Sequence, residues 1–245
     1  MTFIQKGVGS IKDKYSYQKH ECFDEASSLP ESICIVETRE GLAAISSPTT
    51  ELVIWERSLP SHFQTWLEEL EPSQLPNLRI LVQPHDLPRA LMQHFDNFDM
   101  PNEKMRGSLT SDIDRLVTVF ARITRSAYVD VRLDRISHDA CWKFHRDSVA
   151  TRLLTTYRGP GTEWVQQQQA AHALRKQKDY KGPIELIERN DVAIFKGSCA
   201  GSGSGIVHRS PPIADTGCTR LLLCINTPSA VSPEKWSKPT ELASI

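Results

Sequence analysis

At 245 residues, with 39% hydrophobic and 24% charged side chains, the chain has globular composition and a length suited to one large domain or two small ones. Lys and Arg number 29 against 30 Asp and Glu, a net charge of -1. That balance lacks the cationic surface that phosphate-backbone binding requires, so nucleic acid is not an expected partner. No apolar run approaches the ~20 residues needed to span a bilayer, and Met1-Thr2-Phe3-Ile4-Gln5-Lys6 leads into polar sequence, so a cytoplasmic protein without a membrane partner is expected.

Six cysteines, none in a C-x-x-C pair, are too sparse for a disulfide scaffold and read as reduced thiols. The first 50 residues mix charge and Ser with weak periodicity and predict only short or irregular structure. From Ser61 the pattern turns helical: Phe63, Trp66, Leu67 and Leu70 form an apolar stripe that Pro72 ends. Leu87 to Phe95 continues as helix, and Ile113, Leu116, Val117, Phe120 and Ile123 mark a longer one over Thr110 to Thr124. Residues 1–125 therefore read as a mixed, mostly helical region.

After Ser126 the period changes to two, with Ala127, Val129, Val131 and Leu133 alternating against Tyr128, Asp130, Arg132 and Asp134. Further strands are expected at Cys141 to His145, Val149 to Tyr157, Ile184 to Ile187, Val192 to Phe195, Gly205 to His208 and Arg220 to Ile225. Short strands between Gly and Pro turns indicate an antiparallel sandwich or barrel over residues 126–228. Trp164 to Tyr180 reads as a solvated helical insertion, and residues 229–245 as a Pro- and Ser-rich tail.

Gly197 to Gly205 lacks the Lys-Ser/Thr ending of a phosphate loop and reads as a strand connection, as Gly159-Pro160-Gly161-Thr162 reads as a turn. Neither H-E-x-x-H nor G-x-S-x-G occurs, which removes the main support for zincin and α/β-hydrolase chemistry. What remains is His145-Arg146-Asp147, His208 at 61 residues beyond the Asp, and Arg220 at 12 beyond that. On extended chain, i and i+2 project to one side, so His145 and Asp147 can share a face that a second imidazole completes. Two imidazoles and a carboxylate can hold Fe(II) on one face and leave positions open, or form only a hydrogen-bonded polar cluster. H-x-D alone decides nothing: His94-Phe95-Asp96 repeats it in a helix, where i and i+2 diverge by about 200°.

Arg220 opens a strand that is apolar on both faces, and a buried guanidinium needs an anion, either a bound carboxylate or a protein one. Tyr157 and Arg152, on the strand after H-x-D, are candidates to touch a cosubstrate, with Tyr157 equally readable as a core ring. His138 and His172 read as surface residues.

This conjunction of H-x-D, distal His and following Arg resembles the iron(II) and 2-oxoglutarate dependent dioxygenases. The resemblance covers about Ser126 to Pro228, including Asn190 to Phe195 ahead of His208-Arg209-Ser210-Pro211. It implies an α+β protein whose double-stranded β-helix, a jelly-roll or cupin-like barrel, carries an N-terminal helical layer. It also implies His145, Asp147 and His208 as catalytic metal ligands, Arg220 as anchor of the 2-oxoglutarate cosubstrate, and Fe(II) or, instead, Zn(II) as the metal. An oxygenase that hydroxylates or demethylates a small-molecule or protein substrate is then expected, with a cupin-like metal-binding protein lacking turnover as the alternative. The stretches His145–Gly161 and His208–Pro211 are also similar to a bacterial family defined only as a domain of unknown function, whose members tend to be encoded near zinc-homeostasis genes.

Overall fold

The computed structural model describes residues 32–201 and 205–238. In chain order the strands are β1 (Ile33–Val36), β2 (Leu52–Trp55), β3 (Leu78–Val82), β4 (Val129–Ile136), β5 (Thr151–Arg158), β6 (Thr162–Val165), β7 (Glu185–Ile187), β8 (Val192–Lys196), β9 (Val207–Arg209) and β10 (Arg220–Asn226). The α-helices are α1 (Ser61–Glu69), α2 (Leu87–Phe95), α3 (Glu103–Thr124) and α4 (Gln167–Lys176). Seven strands form one sheet in the order β1-β2-β8-β5-β10-β4-β3, and β7-β6-β9 form a second. Every pairing between strands of residues 126–228 is antiparallel, as expected, and only β1 with β2 is parallel. The described strands make two packed sheets of unequal width.

Alternation along the strands builds the layers. In β10, Leu221, Leu223 and Ile225 join the core formed with α1, α2 and α3, while Leu222 and Cys224 join a second core shared with Trp164 and Ile187 of the small sheet. A strand covered by helices on one face and by a sheet on the other has no solvent side, which is why Leu221 to Ile225 of β10 are apolar and the whole strand, Arg220 and Asn226 included, is buried. The helical layer is the N-terminal one that the apolar stripes predict, with α3 beginning at Glu103 instead of Thr110 because Asn102 Oδ1 accepts from Met105 N, 3.2 Å, and caps it.

Residues 1–125 nevertheless supply more than helices. β1, β2 and β3 lie in the large sheet, so that sheet does not begin at residue 126. The expected strand at Cys141 to His145 is a turn with Cys141 at φ +52°, and only His145 keeps an extended pairing, to His208. β6 falls where the Gly-Pro-Gly turn and the helical insertion meet, and α4 is that insertion. The tail crosses the edge of β3, where Trp236 N donates to Leu81 O, 2.7 Å. The five described cysteines are free thiols, while Cys22 lies outside the described residues. Among the described residues no helix is long and apolar enough to cross a membrane.

Candidate metal centre

His145 and Asp147 reach the site from the loop between β4 and β5, and His208 from the middle of β9. The chain segments are joined directly: His145 N donates to His208 O and His208 N to His145 O, each 3.0 Å. This antiparallel bridge sets the two imidazoles side by side, with ring centroids 4.6 Å apart. Their Nδ1 atoms face backbone carbonyls, Lys143 O at 2.7 Å from His145 and Ile206 O at 3.4 Å from His208. With Nδ1–H donated to a carbonyl, each Nε2 points inward: in the protonated ring its N–H faces Asp147, and in the neutral ring its lone pair is free for a metal. The Nε2 of His145 lies 3.3 Å from Asp147 Oδ1 and that of His208 3.5 Å from Oδ2.

Three donor atoms, one per residue, therefore lie within 4.8 Å of one another, and this is the one group among the described residues that meets the spacing of a metal site. Asp147 is buried and its Oδ2 receives no hydrogen bond. Arg152 Nη1 sits 2.6 Å from that oxygen as a close ionic contact, off the line a hydrogen bond needs. A buried carboxylate oxygen left open among two inward-facing imidazole nitrogens fits a divalent cation with nitrogen and oxygen preference. His94 and Asp96 are elsewhere, at the end of α2, where Asp96 pairs with Arg106 at 2.7 Å.

Burial opposes the charge on Asp147, yet the hydrogen bond from His145 and the positive charges of His208 and Arg152 outweigh it and hold the carboxyl at about 2. Burial pushes the His208 imidazole down to about 4, against the attraction of Asp147. The hydrogen bond to Asp147 raises His145. A deprotonated carboxylate and a neutral buried imidazole are the forms that bind metal. Cys224, at the same cleft, is pushed up to about 11 by burial and stays a thiol.

Two hydrogen-bonded shells hold the ligand loop. From the loop after β8, Ser198 N and Oγ donate to Asp147 O at 2.8 and 3.1 Å, and Gly197 N donates to Ala150 O at 3.0 Å. A Cβ on Gly197 would lie 2.3 Å from Val149 O and 2.6 Å from Asp147 O, so only glycine fits there. From the other side, the Gln177 carboxamide takes a hydrogen bond from Phe144 N, 2.8 Å, and donates to Phe144 O, 3.0 Å. The glycine-rich connection and the insertion thus have work that their composition did not announce.

A cleft of about 310 Å³ opens from the two imidazoles and is lined by Arg152, Thr162, Ser210 and Leu222 among others. Arg220 lies beneath it with no solvent exposure. Its Nε donates to Pro160 O at 2.8 Å, Nη1 to Ser210 Oγ at 2.7 Å, and Nη2 to Thr156 Oγ1 and Thr162 Oγ1 at 3.1 Å each. Gly159, at φ +80°, passes so close to Arg220 Cγ that a Cβ would lie 2.9 Å from it. The Gly-Pro-Gly turn is therefore the seat of this guanidinium. No carboxylate among the described residues pairs with Arg220, and burial lowers it to about 10.

Tyr157 does not reach the cleft. Its hydroxyl donates to Asp112 Oδ2 of α3, 2.6 Å, in the helix-side core beside Arg57, whose Nη1 lies 2.7 Å from Asp112 Oδ1. Arg152 is at the cleft, occupied by Asp147 and by Asn226 Oδ1, to which its Nε donates at 2.8 Å. Residues 152 and 157 are an odd number apart, so a strand must turn them to opposite faces. Ser210 was findable by the same rule, two residues after His208. Thr162 and Gln177 carried no local signal. A further depression of about 350 Å³ between α1 and α3 has Asp112 as its buried polar residue, already paired with Arg57.

A family model described as "Protein of unknown function (DUF1826)" matches residues 37–226. Nothing among the curated proteins matches the chain. Among solved structures it is similar to HygX from Streptomyces hygroscopicus with nickel and 2-oxoglutarate bound, at 14% identity over 82% of this chain and 90% of that chain, TM-score 0.40. It is similar also to AviO1 from Streptomyces viridochromogenes, at 13% identity over 81% and 98%, TM-score 0.39. A third is a Pseudomonas putida prolyl-4-hydroxylase, at 12% identity over 77% and 100%, TM-score 0.38.

Proposed function

We propose that this chain, which belongs to the DUF1826 family, is a nonhaem Fe(II), 2-oxoglutarate dependent oxygenase on a jelly-roll scaffold. His145, Asp147 and His208 would hold the metal. Arg220, with Ser210 and Thr162, would receive the outer carboxylate of 2-oxoglutarate. The chemistry such a pair would supply when bound is reduction of dioxygen: one oxygen atom would convert the keto acid to succinate and carbon dioxide, and the other would enter a substrate C–H bond as a hydroxyl, with demethylation following when a hydroxylated methyl leaves as formaldehyde.

The observation that carries this reading is the unpaired guanidinium. Arg220 is fully buried without a carboxylate partner among the described residues, and two of the hydroxyls it donates to line the cleft that holds both imidazoles. A buried uncompensated charge is costly and is kept where an anion arrives. A cupin-like site that only stores metal has no use for it. The three donors alone suit Zn(II) equally, so Arg220 is where the two readings part.

The test is anaerobic titration with Fe(II) and 2-oxoglutarate, watching for the visible charge-transfer band of a chelated keto acid. Arg220→Ala is expected to weaken 2-oxoglutarate binding about ten- to a hundredfold while metal content stays nearly unchanged, and Arg220→Lys, which keeps the charge and loses the planar fork, to fall in between. His208→Ala is expected to lose both. Wild-type protein that binds metal tightly, shows no band and forms no succinate would reject the oxygenase and leave the metal-binding reading.

A further inference from the structure

Gln177 stands where glycine belongs. At φ +52° and ψ -118° it follows α4 in a conformation that L side chains adopt only under strain and glycine adopts freely. The side chain uses that strained position fully: its Oε1 accepts from Phe144 N at 2.8 Å, and its Nε2 donates to Phe144 O at 3.0 Å and to Leu174 O at 2.9 Å. One carboxamide thus satisfies both backbone polar groups of the residue before His145. The Phe144 ring is held as well, edge-on to Tyr180 at 5.4 Å and under the Arg209 guanidinium at 4.3 Å, and Arg209 is fixed by Glu163 at 2.6 Å. Past Phe144 the chain makes the His145–His208 bridge.

We infer that Gln177 is a positioning residue for the metal ligand His145, and that α4 is present in the fold to deliver it. The inference rests on the metal reading above. The physical argument is that His145 lies in a loop, tied to His208 by one backbone bridge and to Lys143 O by its Nδ1, so the chain that enters it at Phe144 sets how the imidazole is presented. It is the most exposed of the three donors, its side chain 33% exposed against 7% for Asp147 and 6% for His208, and it sits in a loop instead of a named strand. Asp147 is clamped by Ser198 and His208 is in β9, and Gln177 fixes the residue that leads into His145. Backbone strain kept at a non-glycine residue, with the side chain spent on a ligand's neighbour, is what a purely connective residue would not show.

Co(II) titration of the purified chain, read by the visible d–d spectrum and by affinity, tests this beside thermal unfolding. Gln177→Ala is expected to lower Co(II) affinity about ten- to a hundredfold, the usual effect of removing a group that orients a ligand, and to change the d–d band shape. Gln177→Glu keeps the acceptor for Phe144 N and loses both donors, so it should fall between. Gln177→Gly separates the two roles: relief of strain should restore thermal stability relative to Ala, while Co(II) affinity stays as low. Val117→Ala, a truncation in the helix-side core of α3 that involves neither α4 nor Phe144, should lower the melting temperature and leave affinity near wild type. Variants at Gln177 that bind Co(II) like wild type, or affinity that follows melting temperature through all four variants, would overturn the inference alone. Wild-type protein that binds no Co(II) would overturn the metal reading and this inference together.

Discussion

Arg220 and Tyr157 show how one residue's environment reverses a reading made from its type. Both are large, polar-ended and fully buried. Tyr157 is satisfied by a protein carboxylate, Asp112, while Arg220 has only neutral oxygens. Tyr157→Phe is therefore expected to cost about 1.5–3 kcal/mol of stability, the range for a hydrogen bond to a charged group, and to leave 2-oxoglutarate binding unchanged. Denaturant unfolding and the anaerobic titration measure the two parts, and a loss of cosubstrate affinity would return Tyr157 to the site.

His208 gives the pH dependence its sign. Its folded value of about 4, depressed by burial, lies below the unfolded imidazole near 6.5, so between these limits the unfolded chain binds the extra proton. Stability of metal-stripped protein should then fall as pH drops from about 6.5 toward 4, by on the order of 3 kcal/mol, partly offset by the raised His145. Urea unfolding at pH 7 and 4.5 measures it. His208→Asn should flatten the profile, and an unchanged slope in that variant would assign the effect elsewhere.

Among elements, β4 and the loop after β8 decide most. The apolar positions of β4 (Val129, Val131 and Leu133) face the helices, and on its other face Arg132 and Asp134 line the cleft with Arg152 and Cys224, while Asp130 pairs with Arg79. Period two announced a half-buried strand and could not say that its polar face looks onto a site. The loop after β8 is held against Asp147 and Val149 by a glycine that has no room for a Cβ. Gly197→Ala should cost about 1–3 kcal/mol, as overpacking does, and should also weaken metal binding because the clash lies on the ligand loop. Thermal unfolding with and without Co(II) would separate the terms. An alanine variant with wild-type stability would mean that the loop yields freely.

For the molecule as a whole, a metal that binds the folded chain and not the unfolded one adds stability by mass action. At a hundredfold excess over its dissociation constant the gain is about 2.7 kcal/mol, or roughly 5–10 °C in melting temperature for a chain of this size. Differential scanning fluorimetry with and without Co(II) tests this. No shift in wild type, or the same shift in His208→Ala, would count against the assigned ligands.

Elements with many periodic residues were legible: α3 through its apolar stripe, β5 and β10 through length and composition, and the antiparallel order of residues 126–228 through short strands between turns. That His145, Asp147 and His208 could come together was legible too, because the H-x-D spacing and a lone downstream His are local facts. β1, β2 and β3 were not, since runs such as Leu52-Val53-Ile54-Trp55 are buried on both faces and carry no alternation to distinguish strand from buried helix. Cys141 to His145 carried strand-like residues that its turn overrides.

What the sequence determined by itself was therefore the chemistry available: two imidazoles, a carboxylate and a guanidinium at spacings that strands can bring to one side. Only the tertiary structure decided which of these groups meet. It joined His145 to His208 across a bridge, turned Tyr157 away to Asp112, wrapped Arg220 in neutral oxygens and drew Gln177 onto Phe144. The reason is physical: local patterning settles which face a side chain takes, whereas the partner on that face comes from chain tens of residues away, through sheet register and buried hydrogen bonds that leave no periodic trace.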